Sequence, residues 1–424
     1  MPIKNKTTIF VILDAFRWDY LNETDTPFLN QLIPNSIYSK KLKSTAGFTQ
    51  RSALFCGTYP DISNNFTMFK MQKQESPFNV PLFLRPFCKL IDSKKLNGNI
   101  NARWFDLLIR KLIHLKATKK ATFAPPINIP LSLIDYISVT EDQKPIHTKD
   151  ALSIQSIFDV LLDCDVSFQY LMHPVALGND DEVMDLVLKS FKNLTNAFFI
   201  QFSNSDTYGH KFGPDSVERT QFSKEIDLRV KMIYEEAQSV YDDVSLVLVG
   251  DHGMTEVKKK INLHQLICEK LAENNLKLKK DVLFFLDSTM ARFWSRSKKG
   301  HDFIHKTLQK NNEFIDNGMF VSDEMAAELR FSKSTDYGDV IWMANPGVLI
   351  YPDFFHDYWN PLKGMHGYSP DEDTAKGFAL VANNKRSLNK QIEEVNLVDI
   401  CPTVCDLIGV SYPKKNEGKS LFDY

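Results

Sequence analysis

The chain has no surplus of either charge: its 424 residues include 51 Lys and Arg against 53 Asp and Glu, a formal net charge of -2. That balance provides no overall basic field to recruit a nucleic-acid polymer or an anionic membrane, so any phosphate recognition must be local. Long apolar runs are missing as well. The first, Ile9–Leu13, follows a polar start and is too short for a signal-peptide core or a membrane span. Cysteine is scarce, six residues in all, and none of Cys56, Cys88, Cys164, Cys268, Cys401 and Cys405 has CxxC or CxH metal spacing. Their mostly apolar surroundings argue against a disulfide framework and for reduced core thiols in a cytoplasmic protein. Cys401 and Cys405, four apart, read as two small residues on one buried helix face. No internal repeat, heptad array or low-complexity tract is present. What the chain does have is apolar bulk, 43% hydrophobic and 12% aromatic, enough for a large core in one big domain with inserted lobes.

Ile9–Leu13, Ala197–Phe202 and Val244–Val249 are short runs rich in Val, Ile and Phe, each ending at a polar cluster that contains aspartate. They read as parallel strands buried on both faces. Helical patterns over Ile154–Leu162, Val183–Leu194 and Ser216–Val240 alternate with them, which predicts an α/β, doubly wound, mostly parallel sheet flanked by helices. Two intervals break this rhythm and read as inserted caps on a single 1–424 domain. The first, 64–149, carries the basic run Lys116–Lys120 and the Pro-rich Ala124–Pro130; the second, 258–361, opens on Lys258–Lys260, a solvated charge run, and includes a strand or two over Phe284–Trp294.

Doubly wound sheets bind ligands beyond the C-terminal ends of their strands, and that is where the chemistry-bearing residues fall. Asp251 and His252 directly follow an apolar run, with Gly250 and Gly253 letting the backbone turn tightly. Asp206 and His210 lie just past Ala197–Phe202 on what reads as a compact turn. His366 stands between Met365 and Gly367 in a polar loop, and Asp14 is the first polar residue after the opening strand. Taken singly, each has an ordinary reading as a strand cap, turn or solvent histidine. Together they offer three carboxylates and three imidazoles, oxygen and nitrogen donors of the kind zinc and manganese accept. Two divalent ions roughly 4 Å apart can clamp the attacking and leaving oxygens of a displacement at phosphorus.

Several segments in order carry a family likeness: the strand ending in Asp14, LFCGTYP at Leu54–Pro60, DTYGHKFGP from Asp206, GDHGM from Gly250, GMHGY from Gly364, and VDICPTVCDLIGV from Val398 with EGKSL from Glu417. In these the chain resembles the alkaline phosphatase superfamily, closest to its nucleotide pyrophosphatase/phosphodiesterase branch, over the core and not the insertions. The resemblance implies one metal at Asp206, His210 and His366 and a second at Asp14, Asp251 and His252, usually both zinc. It also implies a Thr or Ser nucleophile at a helix N-terminus, activated by the second metal.

At the nucleophile the chain departs from the pattern, because the expected position is Gly47, which has no side chain. Thr49, Thr45, Ser44 and Ser52 are the nearby hydroxyls. Thr49 precedes a helix over Gln50–Cys56 and is the best candidate, as N-cap and nucleophile together and as a further ligand of the second metal; the alternative is a plain cap with Thr45 or water attacking. Arg51 is placed either to pair with a phosphate oxygen or to stand exposed on that helix. Ser44–Ser52 holds no Cys or Pro, which disfavours a formylglycine sulfatase.

These residues predict a two-metal hydrolase of phosphodiester or pyrophosphate bonds working through a covalent phospho-threonine. A phosphotransferase or mutase with a sugar or glycan acceptor shares every core motif, and a metal-binding scaffold without catalysis is the non-enzyme reading. The substrate expected is a phosphate-containing small molecule or glycan, with nucleotide, phospholipid headgroup and glycan phosphate all open because specificity resides in the inserted lobes.

Overall fold

The computed structural model describes residues 6–73, 76–78, 80–96, 100–118, 128–141, 144–173, 175, 179–356 and 362–424. At its centre is a seven-stranded sheet in the order Lys390–Asn396, Ile37–Lys43, Gly377–Asn383, Asp243–Gly250, Lys6–Leu13, Ala197–Phe202, Phe168–Leu171. Six strands run one way and Gly377–Asn383 runs against its two neighbours. The sheet is therefore mostly parallel, as the alternating order predicts.

The two faces of the opening strand explain its unbroken apolar sequence. Ile9, Val11 and Leu13 join a core with Ile226, Val230 and Ile233 from the helix Val217–Val240. Phe10 and Ile12 point the other way, into a core with Leu54, Phe158 and Val404 from the helices Arg51–Cys56, Ile157–Asp163 and Ile400–Ile408. Helices on both faces leave no polar side for the strand to show. Phe199 is fully buried on the second face, and cutting it to Ala would cost about 3–5 kcal/mol.

Register decides where the site lies. Leu13 is level with Phe202 on one side and with Gly250 on the other. The residues that leave these three strands, Asp14, Ser203 and Asp251, therefore emerge at one edge of the sheet.

The two irregular intervals share a core. Residues 258–361 hold an antiparallel sheet in the order Val282–Asp287, Met290–Ser295, Val340–Ala344, Gly318–Phe320, so Phe284–Trp294 spans a hairpin. Residues 64–149 supply the strand pair Phe69–Met71 and Ile137–Val139 and the packed helices Arg85–Leu96 and Ile100–Thr118. One apolar cluster takes residues from both intervals. Within it Arg292 and Asp287 form a fully buried pair at 2.6 Å, and Arg292 also donates to the Phe69 carbonyl. Lys119, Lys120 and residues 124–127 of the basic and Pro-rich stretches lie outside the described residues, while Lys258–Lys260 are exposed, as a solvated run should be.

All six cysteines are free; Cys56, Cys88, Cys401 and Cys405 are buried and Cys164 is exposed. Among the described residues no helix is long and apolar enough to cross a membrane.

Candidate active site

Two triads converge at the strand ends. One oxygen or nitrogen from each of Asp206, His210 and His366 lies within 4.8 Å of the others, and the same holds for Asp14, Asp251 and His252. Asp206 and His210 differ from expectation in their local structure: they sit on a helix, Asn204–Phe212, rather than a compact turn. A spacing of four then places both on one helical face, with His210 Nε2 3.1 Å from Asp206 Oδ1 and His366 Nε2 3.4 Å from the same oxygen. In the second triad His252 Nε2 lies 3.4 Å from Asp14 and 4.0 Å from Asp251.

The chain aims these side chains with bonds behind them. The Nδ1 of His210 is 2.8 Å from the Gly364 carbonyl and that of His252 2.9 Å from the Gly253 carbonyl, contacts that protonate Nδ1 and turn Nε2 toward the site. Asp14 accepts from the Gln201 side chain at 3.0 Å, and Asp251 from the backbone N–H of Ala15 and His252. Gly250 belongs to the strand and not to a turn: a Cβ there would fall 2.0 Å from the Phe16 carbonyl oxygen.

Crowding these groups together moves their proton affinities. Burial lifts the Asp251 carboxyl to about 7, aided by the Asp14 carboxylate against the pull of His252. For His252 burial is outweighed by Asp251 and Asp14, which push it to about 10. Burial opposes ionisation of Asp206 too, but His210, His366 and His252 hold it below the usual carboxylate range. Burial and the neighbouring His252 drive His366 well below the ordinary imidazole value. The Asp206 Oδ1 is buried with two imidazole nitrogens as its near neighbours and no well-aligned hydrogen bond, and buried carboxylate oxygens are seldom left so without an ion or proton to meet them. Oxygen and nitrogen donors converging on such an atom fit a divalent cation.

Both triads open on a cavity of about 240 Å³. Thr49 lines it, and its Oγ1 is buried with no hydrogen-bond partner. The helix begins later than expected, at Arg51, with Gln50 in the N-cap position, so Thr49 is not its cap. The Gln50 side chain instead turns back to Thr45, whose hydroxyl donates to it at 2.8 Å. Ser52 donates to Glu141 and accepts from Asn65. Of the four hydroxyls weighed from sequence, Thr45, Ser44 and Ser52 do not line the cavity and Thr49 does. Arg51 lines it as well.

Gly47 has a physical reason to lack a side chain. Its φ is +96°, and a Cβ would lie 1.9 Å from the Phe66 carbonyl oxygen, which accepts from the Phe48 N–H. Sequence reasoning missed Gln201, Glu141 and Phe48. Gln201 was findable as the one polar residue inside an otherwise apolar strand, AFFIQF; Glu141 and Phe48 carry no such signal.

A mostly parallel α/β sheet with two carboxylate–imidazole triads side by side at its strand ends places the chain among α/β proteins whose ligand site lies at the carboxyl ends of the strands. Residues 8–369 match the family model for Type I phosphodiesterase / nucleotide pyrophosphatase, and the chain belongs to that family. Mouse ectonucleotide pyrophosphatase/phosphodiesterase family member 7 is 23% identical over 251 residues, a match to 57% of this chain and about half, 53%, of that protein. The human member 7 is 20% identical over 97% of this chain and 81% of its own length. Among solved structures, murine ectonucleotide pyrophosphatase/phosphodiesterase 5, as an inactive variant in complex with AMP, aligns over 96% of both chains with a TM-score of 0.66 at 15% identity, which establishes the shared fold.

Proposed function

We propose that this protein hydrolyses phosphodiester or pyrophosphate bonds through a covalent phospho-threonine at Thr49. One observation carries the reading: a buried hydroxyl without a partner faces the same cavity as both ligand triads. Asp206, His210 and His366 would hold one divalent ion, and Asp14, Asp251 and His252 with Thr49 the other, zinc by preference and manganese next. Bound there, such ions would lower the hydroxyl pKa and neutralise charge on the phosphorus oxygens. Thr49 Oγ1 forms the bond to phosphorus as the ester or anhydride oxygen leaves, and water then releases the threonine hydroxyl. Arg51 is positioned to pair with a non-bridging oxygen.

The rest of the lining favours a diester over a monoester. Phe48, Leu54, Phe55, Met68 and Met172 form an apolar wall suited to a second substituent and not to an additional negative charge. Residues 64–149 contribute Met68 to this wall and Glu141 to the polar part of the lining, and Phe355 from 258–361 stacks on Phe48; we therefore assign substrate choice to these two intervals as caps. The AMP bound to the murine relative supports a nucleotide as one candidate. Six unpaired cysteines suit a reducing compartment such as the cytoplasm.

The test is release of nitrophenol from bis(nitrophenyl) phosphate by the metal-loaded protein, with a quench to trap phospho-threonine for mass spectrometry. Thr49→Ala should abolish both while retaining metal. Full activity in that variant would remove Thr49 from the reaction, and release only upon addition of a sugar acceptor would replace the hydrolase by a transferase.

A further inference from the structure

The near-zero net charge of the chain conceals a strongly basic segment. Residues 85–120 contain ten Lys and Arg and only two acids, Asp92 and Asp106, and both acids face inward. Asp92 accepts from the backbone N–H of Leu131 and Ser132, and Asp106 pairs with the buried Arg110 at 2.8 Å. Neither acid contributes negative charge to the outer surface of the segment; Arg110, buried with Asp106, contributes no positive charge either, which leaves nine Lys and Arg in the segment.

The helices here are also amphipathic in the unusual sense. On Ile100–Thr118 the inward face carries Asp106 and Arg110 beside Ile109 and Ile113, whereas Trp104, Phe105, Leu107, Leu108, Leu112 and Leu115 stand between 47% and 68% exposed. Phe83, Phe87 and Leu90 add exposures of 74%, 56% and 53% on and just ahead of the packed helix Arg85–Leu96. Nine of the 21 large apolar side chains exposed among the described residues thus fall within 83–115. Scattered exposed leucines need no explanation, but a concentrated stripe of this kind marks a surface that is covered in use.

We infer that this helix pair seats the protein on an anionic phospholipid surface, with Ile100–Thr118 lying in the interface plane. An apolar stripe of Trp, Phe and Leu within a segment rich in Lys and Arg is the pattern of an interfacial helix, and no described helix is apolar enough to span. Negative lipid headgroups complement the charge of the segment. A second copy of the chain would bring the same positive excess against itself, which disfavours self-association as the covering. The buried side of the pair joins the apolar cluster that packs Phe48, next to Thr49, and holds Met365, next to His366. The lipid-facing element therefore shares a continuous packed core with the cavity wall.

The test uses the full chain with phosphatidylcholine vesicles made with and without phosphatidylserine, in a flotation assay. Binding is expected with phosphatidylserine, weakening as salt rises and far lower without it. Changing Trp104→Glu and Leu108→Glu together should weaken binding roughly a hundredfold, the combined effect of two large apolar groups withheld from the bilayer. Both positions are exposed, so thermal unfolding and turnover of a soluble nitrophenyl diester should not move. Absence of binding, equal binding by the double variant, or equal binding to both vesicle types would overturn the inference. So would a dimer that the double variant dissolves in a protein that ignores vesicles, because the covering would then be a second copy.

Discussion

His252 and His366 lie ring against ring, centroids 4.4 Å apart and planes 29° from parallel, although they belong to different ligand triads. The contact makes the two triads neighbours and makes simultaneous protonation of both imidazoles unfavourable. Each triad is nonetheless built from its own set of supports, Gln201 and Ala15 behind one and Gly364 behind the other.

The two sites should therefore empty one at a time. Asp251→Asn is expected to reduce bound metal from two ions per chain to one, and His366→Ala to do the same by vacating the other triad. Elemental analysis of each purified variant checks this; loss of both ions from either variant would show that the triads do not bind independently.

Restoring a hydroxyl at position 47 should do harm. Gly47→Thr puts a β-branched residue at a positive φ and into the Phe66 carbonyl, a cost of about 3 kcal/mol or more. Chemical denaturation should show that loss, and activity should fall with it. A stable and more active variant would mean that the loop shifts to accept a nucleophile there.

Arg292 should be among the costliest single positions outside the site. Replacing it by Ala leaves Asp287 buried without its partner and the Phe69 carbonyl without its donor, for a loss of about 3–5 kcal/mol. Exchanging the pair for Met and Leu together should cost much less, a comparison readable from two denaturation midpoints.

His264 should make the fold acid-sensitive. Burial holds its pKa at about 4, against 6.5 for the free side chain, and its ring packs near Phe284 and Phe354. The unfolded chain then binds a proton that the folded chain does not between those values. Stability from this group is complete above about 6.5 and is lost as pH falls toward 4, by about 3 kcal/mol at most. His264→Phe should flatten that part of the stability profile.

The convergence of the two triads was legible in the sequence because parallel strands announce their ends: an apolar run stops, and the first polar residue after it lies at the edge where such sheets bind. Asp14 and Asp251 follow that rule directly. The direction of Gly377–Asn383 was not legible, since GFALVAN buried on both faces reads the same whichever way it runs. Spacing alone did not separate the helix Asn204–Phe212 from a turn, because glycine at 209 weakens the helical signal; in the structure that glycine packs against the Met254 side chain. Thr49 looked like a cap because the sequence does not show Gln50 folding back onto Thr45. Whole-chain charge gave the least local information of all, averaging away the segment 85–120.

The positions of the triads along the chain impose an order on their assembly during synthesis. Asp14, Asp251 and His252 have all been synthesised once residue 252 is made, whereas the other triad waits for His366 and for the Gly364 carbonyl that orients His210. A nascent or prematurely stopped chain would thus hold every member of one triad and only two of the other, so the second cluster depends on translation reaching the far end.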